Sequence, residues 1–448
     1  MTDAPKHALR LRSLDGLRGL AAVIVLAHHL SMTIPAISNA YDSSSNLVPF
    51  SLAWWFVGGP AKILVAGPEF VLVFFVLSGF VLTLSPLSRV KREDTGDPTA
   101  RYDWAAYYPR RIVRLGVPVV ASMVLAYLVI AVPPHPTVGG AGSWLTRQAH
   151  PNISLSNLVT ETLLIADPQR PSVNPPLWSL TWELWFSLLL PLAVVIALWS
   201  RRAPVLWGLF FCGASLVGYV QHETAAMYLP AFALGALLGA NAHRIHDAVA
   251  RANHTRRLTA IWIGLAIAGP ALSTSYWMLR PLLSGPTADA ALALRVPGAA
   301  IMVATVAFCP AASRIFESRG LAWLGKISFS LYLVHSPVVV CFGLLFVGSP
   351  WWIGAVLSLA TTLVLTLMMY SLVEKPSIEL ASRTGRRVSA LFALLAARLG
   401  KRMPANVAAG EPARTASAIS ESELDEPTLD ARARETRQLE DALRGSAR

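Results

Sequence analysis

The chain is expected to fold as an all-α polytopic membrane protein, and three features of its sequence predict this. Of its 448 residues 54% are hydrophobic and only 14% charged, where a soluble domain carries about 25% charged residues. The apolar residues form about ten runs long enough to cross a bilayer as helices. Lys and Arg concentrate in alternate connections between those runs, as they do when basic loops stay on the inner side.

The runs lie near 17–35, 67–85, 113–132, 180–199, 204–220, 225–240, 258–275, 292–311, 328–347 and 351–373. Several contain Gly or Pro, which membrane helices tolerate because neighbouring groups satisfy the freed backbone. The connections assigned to the inside hold Arg10 and Arg12, Arg89, Arg110 and Arg111, Arg201 and Arg202, Arg256 and Arg257, and Arg314 and Arg319. Those assigned to the outside hold Lys62, Arg147, Arg170 and Arg280. An even number of spans with both termini cytoplasmic fits this imbalance. The formal charge of +12 therefore encodes topology and contact with membrane lipids rather than a nucleic acid partner.

Cys212, Cys309 and Cys341 all fall in apolar runs, and no two have metal-ligand spacing. They read as small buried residues, with no metal site. The basic start followed by an apolar run has the form of a signal peptide. Arg18, His28 and His29 inside that run, and the lack of a convincing cleavage site, make it a retained first helix.

Residues 1–376 form the membrane domain. Two of its connections are long, 36–66 and 133–178, the second opening on Pro133-Pro134-His135-Pro136. Long connections often carry function, so both are candidate lids over an acceptor site or else plain solvated links. Glu374-Lys375-Pro376 is expected to end the last helix at the inner surface. Residues 377–402 combine Arg386, Arg387, Arg398, Lys401 and Arg402 with Leu391, Phe392, Leu394 and Leu395, the pattern of a basic helix on an anionic leaflet. Residues 403–448 are rich in Ala, Glu, Arg and Ser, a composition expected to stay largely disordered.

An ionisable residue within a span is a functional-site hypothesis by default. Arg18 and His29 are eleven residues apart, so on a helix they point within roughly 20° of one another, about 16 Å apart along the axis. Asp15 shares that face, and His28 is offset. Such a stripe presents a cation near one surface and an imidazole near mid-membrane, where it can accept a proton. Alternatively, Asp15 and Arg18 anchor the helix end and His29 bonds a neighbouring helix. Glu183 lies in an apolar segment among Trp178, Trp182 and Trp185; these form an interfacial belt or line a site, but the carboxylate needs a partner either way. Arg110, Arg111 and Arg114 read as inside anchoring or, more sharply, as forks for phosphate.

Six segments in order resemble the acyltransferase-3 family of integral membrane O-acyltransferases. They are Ser13-Leu-Asp-Gly-Leu-Arg-Gly-Leu-Ala-Ala with His29, Phe74-Phe-Val-Leu-Ser-Gly-Phe80, Tyr108-Pro-Arg-Arg-Ile-Val-Arg114, Leu177-Trp-Ser-Leu-Thr-Trp-Glu183, Leu324-Gly-Lys-Ile-Ser-Phe-Ser-Leu-Tyr-Leu-Val-His335 and Tyr370-Ser-Leu-Val-Glu-Lys-Pro376. The resemblance runs from Arg12 to about Pro376. It implies no bound cofactor and an acyl-CoA donor arriving from the cytoplasm. The acceptor would be a hydroxyl of a carbohydrate, glycolipid or secondary metabolite. The family's Arg-x10-His pattern falls on Arg18 and His29, with His29 as general base or part of an acyl relay. Arg18, Arg110, Arg111 and Arg114 would face the donor's phosphates, and Glu183 matches the family's carboxylate. Many members have a second acidic residue where Leu184 stands and an aromatic pair at Phe186-Ser187, so any mechanism needing two carboxylates is in doubt here. Trp178, Tyr332 and His335 are candidate acceptor contacts, with a structural role for His335 equally open. Ser78 and Gly79 would let helices pack closely.

A secondary transporter is the competing class, but paired halves with matching interruptions are not evident. A noncatalytic scaffold would leave the intramembrane charges without purpose.

Overall fold

The computed structural model describes residues 12–93, 102–131, 139–165, 173–252 and 255–400. Pro133-Pro134-His135-Pro136 and the tail 403–448 lie outside the described residues. Those described are helical, with no strand among them. In chain order the helices begin with α1 (Arg12–Met32), α2 (Pro35–Asp42), α3 (Gly67–Glu93), α4 (Trp104–Ala131), α5 (Ser143–Gln148) and α6 (Leu155–Thr162). Next come α7 (Leu177–Leu188), α8 (Leu190–Ser200), α9 (Pro204–Gln221), α10 (Thr224–Arg251), α11 (Arg256–Leu279) and α12 (Gly285–Ala293). The last are α13 (Arg295–Phe308), α14 (Pro310–Phe316), α15 (Arg319–Leu345), α16 (Trp351–Met369) and α17 (Lys375–Gly400).

Among the described residues 8 elements are long and apolar enough to cross a membrane, or up to 10 if each of two bent pairs counts as one span. The pairs are α1 with α2, bent by 100°, and α7 with α8, bent by 71°. The predicted span 180–199 is thus broken at Leu189. Pro191 follows directly and has no N–H for the turn before it, which favours a break there.

α16 is inside-out relative to a helix of a soluble bundle. On α16 the buried stripe is Gly354, Ser358, Thr362 and Thr366, at four-residue spacing, while Val356, Leu359, Leu363 and Val364 are exposed. In water that exposed face would be an aggregation patch. In lipid it is at home, and small residues turned inward let α16 approach α15 closely.

Glycines set the closest approaches. A Cβ on Gly16 would strike the Phe316 carbonyl, and one on Gly19 or Gly325 would strike the facing helix of the α1–α15 pair. These contacts align α1 and α15 in parallel, which brings His29 level with His335. A Cβ on Gly79 would strike the Phe232 carbonyl and one on Gly235 the Val76 carbonyl, locking α3 against α10, as the small residues at Ser78 and Gly79 predict. Gly79→Ala should therefore force α3 and α10 apart, at about 1–3 kcal/mol for overpacking. Thermal unfolding in detergent should show a clear fall for Gly79→Ala. Gly116→Ala should show none, because nothing lies within 4 Å of a Cβ there.

The expectation that Glu374-Lys375-Pro376 ends the last helix is corrected. The chain widens into a π-helical turn over Tyr370–Glu374 and continues directly into α17. A π turn relieves the clash and missing hydrogen bond that Pro376 would otherwise impose on an α-helix. Glu374 is buried and accepts from Ser330 N at 3.2 Å and from the Ser330 hydroxyl. The compact unit runs to Ala393. The second unit, Leu394–Arg448, is described only through its first residues, where Leu394 and Leu395 are exposed.

Candidate functional site

The structure brings together two residues far apart in sequence, His29 on α1 and His335 on α15. His335 Nε2 lies 3.0 Å from His29 Nδ1. Each ring also places Nδ1 against the carbonyl one turn back in its own helix, Val25 O at 3.1 Å and Leu331 O at 3.0 Å. A carbonyl only accepts, so both Nδ1 atoms carry the hydrogen. His335 Nε2 is then a lone pair and accepts from His29 Nδ1–H, which is shared with Val25 O. The remaining nitrogen, His29 Nε2, is left unprotonated and makes no hydrogen bond among the described residues. His335 is fully buried, whereas His29 is partly exposed.

Three further rings surround this pair. Trp144, from the connection that begins at 133, lies 5.5 Å from the His29 ring, centroid to centroid. His28 lies 5.3 Å from it, and Tyr332 lies 5.7 Å from His335. The Tyr332 hydroxyl is engaged with Ser179 Oγ at 2.6 Å and donates to Pro176 O at 3.3 Å. It ties α15 to the start of α7. Trp178, 5.2 Å from Tyr228, packs among aromatic rings of α3 and α10.

A second constellation sits nearer the start of α1. Arg111 pairs with Glu183 at 2.5 Å and donates through Nε to Ser187 Oγ at 2.9 Å. Ser187 Oγ in turn donates to the Glu183 carbonyl at 2.7 Å. The side chains of Arg111 and Glu183 are 12% and 21% exposed, so neither charge would be tolerated alone. Glu183 makes no hydrogen bond or ion pair with His29. Ser187, where the family pattern expects an aromatic residue, serves as the third member of this lock. Tyr107 and Tyr108 donate to the Ser187 and Leu188 carbonyls, each at 3.2 Å, and fasten α4 to the break between α7 and α8. Arg110 and Arg114 are exposed, and Arg18, 31% exposed, is 3.9 Å from Asp15. These three guanidinium groups retain free donors.

A third group escapes the reading of sequence. Glu69, Lys62 and Arg295 gather beyond His28, all within a turn or two of helix ends. Glu69 and Arg295 stand in apolar runs and could have been singled out by the rule that recovers Glu183. Lys62 carries no such mark, because its burial depends on how residues 43–66 fold back.

A carboxylate–arginine lock and a histidine pair thus lie within a glycine-packed bundle of candidate membrane spans. The acyltransferase domain family matches residues 11–371, and the chain belongs to this acyltransferase-3 family. It is 26% identical to acyltransferase MdmB of Streptomyces mycarofaciens over 75% of this chain and 80% of that protein. It is 24% identical to acyltransferase clz18 of Cochliobolus lunatus over 74% of this chain and 83% of that protein. No solved structure matches the chain.

Proposed function

We propose that the protein transfers a short acyl group, such as acetyl, from acyl-CoA to a hydroxyl of a carbohydrate, glycolipid or secondary metabolite, with His29 Nε2 as general base. The free, unprotonated nitrogen of His29 carries this reading. An acceptor hydroxyl at Nε2 gives up its proton as its oxygen attacks the thioester carbonyl. The tetrahedral intermediate then collapses, the C–S bond breaks, and the departing CoA sulfur takes the proton back from His29. The products are an ester and free CoA.

His335 acts through His29. By accepting from Nδ1–H it fixes the tautomer that leaves Nε2 basic, and it stabilises the imidazolium that forms. It is a positioning residue in this scheme. Its replacement by leucine should lower kcat by about five- to tenfold, in line with a lost hydrogen bond of about 1–1.5 kcal/mol. Glutamine, whose side-chain oxygen can accept from Nδ1–H, should restore part of that loss. The check is kcat and KM for acyl-CoA in both variants, with KM little moved.

Arg18, Arg110 and Arg114 would take the phosphates of the donor, and the Glu183–Arg111–Ser187 lock would hold their wall in place. This reading puts the donor at the end where α1 begins, taken as the cytoplasmic side of a bacterial inner membrane in keeping with the excess of Lys and Arg there. The reading is tested with purified protein in nanodiscs given acetyl-CoA and a panel of hydroxylated acceptors, followed by mass spectrometry. It predicts CoA release together with an acceptor heavier by one acyl group. Absence of CoA release across acyl-CoA lengths and acceptors would overturn it.

A further inference from the structure

Lys62 is 1% exposed and Glu69 0%, yet each keeps polar capacity that the protein does not use. The Lys62 ammonium has three donors, and its hydrogen bonding is limited to Val65 O at 3.5 Å. It lies over the Trp277 and Tyr41 rings at 4.3 and 4.8 Å from their centroids. Glu69 Oε1 accepts from Trp277 Nε1 at 2.8 Å and from Arg295 at 3.4 Å, whereas Oε2 is buried with no partner. No ion pair joins Lys62 to Glu69 among the described residues. Burial pushes the Lys62 amine down to about 8, so it remains a cation at neutral pH. A buried ammonium and a buried carboxylate oxygen left half-satisfied cost several kcal/mol together unless something binds them.

The pair adjoins the histidines. Val65 O, which Lys62 contacts, also accepts from His28 Nδ1 at 3.0 Å, and the His28 ring is 5.3 Å from both His29 and Tyr41. An anion here would be repelled by Glu69 and a cation by Lys62. A neutral hydroxyl suits both, because it accepts from the ammonium and donates to Oε2. The Trp277 and Tyr41 faces, 4.3 Å apart between centroids, supply an apolar wall for the carbon skeleton.

We propose that Lys62 and Glu69, walled by Tyr41 and Trp277, form a subsite for a second hydroxyl of the acceptor, across the His28 ring from the hydroxyl that reacts at His29. The inference rests on the acyltransferase reading and adds where the acceptor is held. Residues 43–66 supply Lys62 and pack Ala53 and Val57 against Trp277 beside the subsite.

The test compares 1-octanol with 1,4-octanediol, whose hydroxyls can span the His28 ring, as acceptors for acetyl-CoA in nanodiscs, read as CoA release and ester mass. Wild type should favour the diol in kcat/KM by tenfold or more, since a site built for a hydroxyl discriminates against its absence. Glu69→Gln and Lys62→Met should each cut the diol-to-alcohol ratio by about tenfold. Glu69→Gln is close to isosteric and carries the test if Lys62→Met does not fold. A wild-type ratio near one, or a ratio unmoved by Glu69→Gln, would overturn the subsite while leaving the enzyme reading intact. No CoA release with either alcohol would overturn that underlying reading and the subsite with it.

Discussion

Replacing His29 with alanine should lower acyl transfer by about 10²–10⁴-fold, the usual contribution of a positioned general base, while the protein stays folded. The expectation follows from the hydrogen-bond pattern. Both Nδ1 atoms are tied to carbonyls one turn back, at 3.1 and 3.0 Å, so the pair presents one free basic nitrogen, His29 Nε2. Alanine removes that nitrogen and leaves His335 Nε2 without its donor. The loss is confined to one hydrogen bond and a partly exposed ring, worth about 1–2 kcal/mol of stability, so helix content and size-exclusion profile should be retained. Donor affinity should also persist, because the arginines lie toward the other end of α1. Isothermal titration with CoA and single-turnover acetyl transfer separate the two effects.

The second large effect concerns the Arg111–Glu183 lock and falls on stability. Removing one partner of a buried pair leaves an uncompensated charge, at about 3–5 kcal/mol. The lower end applies here, because Glu183 is 21% exposed. Arg111→Met should thus reduce the melting temperature in detergent by several degrees. The double variant Arg111→Met/Glu183→Met should recover much of that loss, since neither charge is then stranded. Activity should stay low in both, because the wall that carries Arg110 and Arg114 is then held to α7 only by the Tyr107 and Tyr108 hydrogen bonds. A double variant no more stable than the single would show that Glu183 is satisfied without Arg111.

What was legible in the sequence, and what was not, divides along physical lines. The spans follow from local composition, and the Arg18–His29 stripe from helical periodicity within one element, so neither needs tertiary knowledge. Glu183 is conspicuous because an isolated carboxylate in an apolar helix must be paired. Its partner was not legible, since Arg111 is 72 residues away and stands among neighbouring arginines with no local mark. The His29–His335 contact spans 306 residues and exists because the glycines of α1 and α15 let those helices run parallel in close contact. His335 therefore read equally well as structural or as an acceptor contact. The bend at Leu189 was missed because hydropathy is continuous through it, and the continuation past Pro376 because Glu374, Lys375 and Pro376 together carry the marks of a helix end. Lys62 was missed because it sits in a connection, where the default expectation is solvent.

The account turns on His29 Nε2, and chemical rescue tests that atom most directly. Acetyl transfer by His29→Ala protein in nanodiscs would be measured with and without added imidazole, alongside wild type. The account predicts a variant at or below a hundredth of the wild-type rate, with imidazole restoring part of the transfer in a saturable manner and leaving wild type unaffected. Transfer by His29→Ala within a few-fold of wild type, with no response to imidazole, would contradict it.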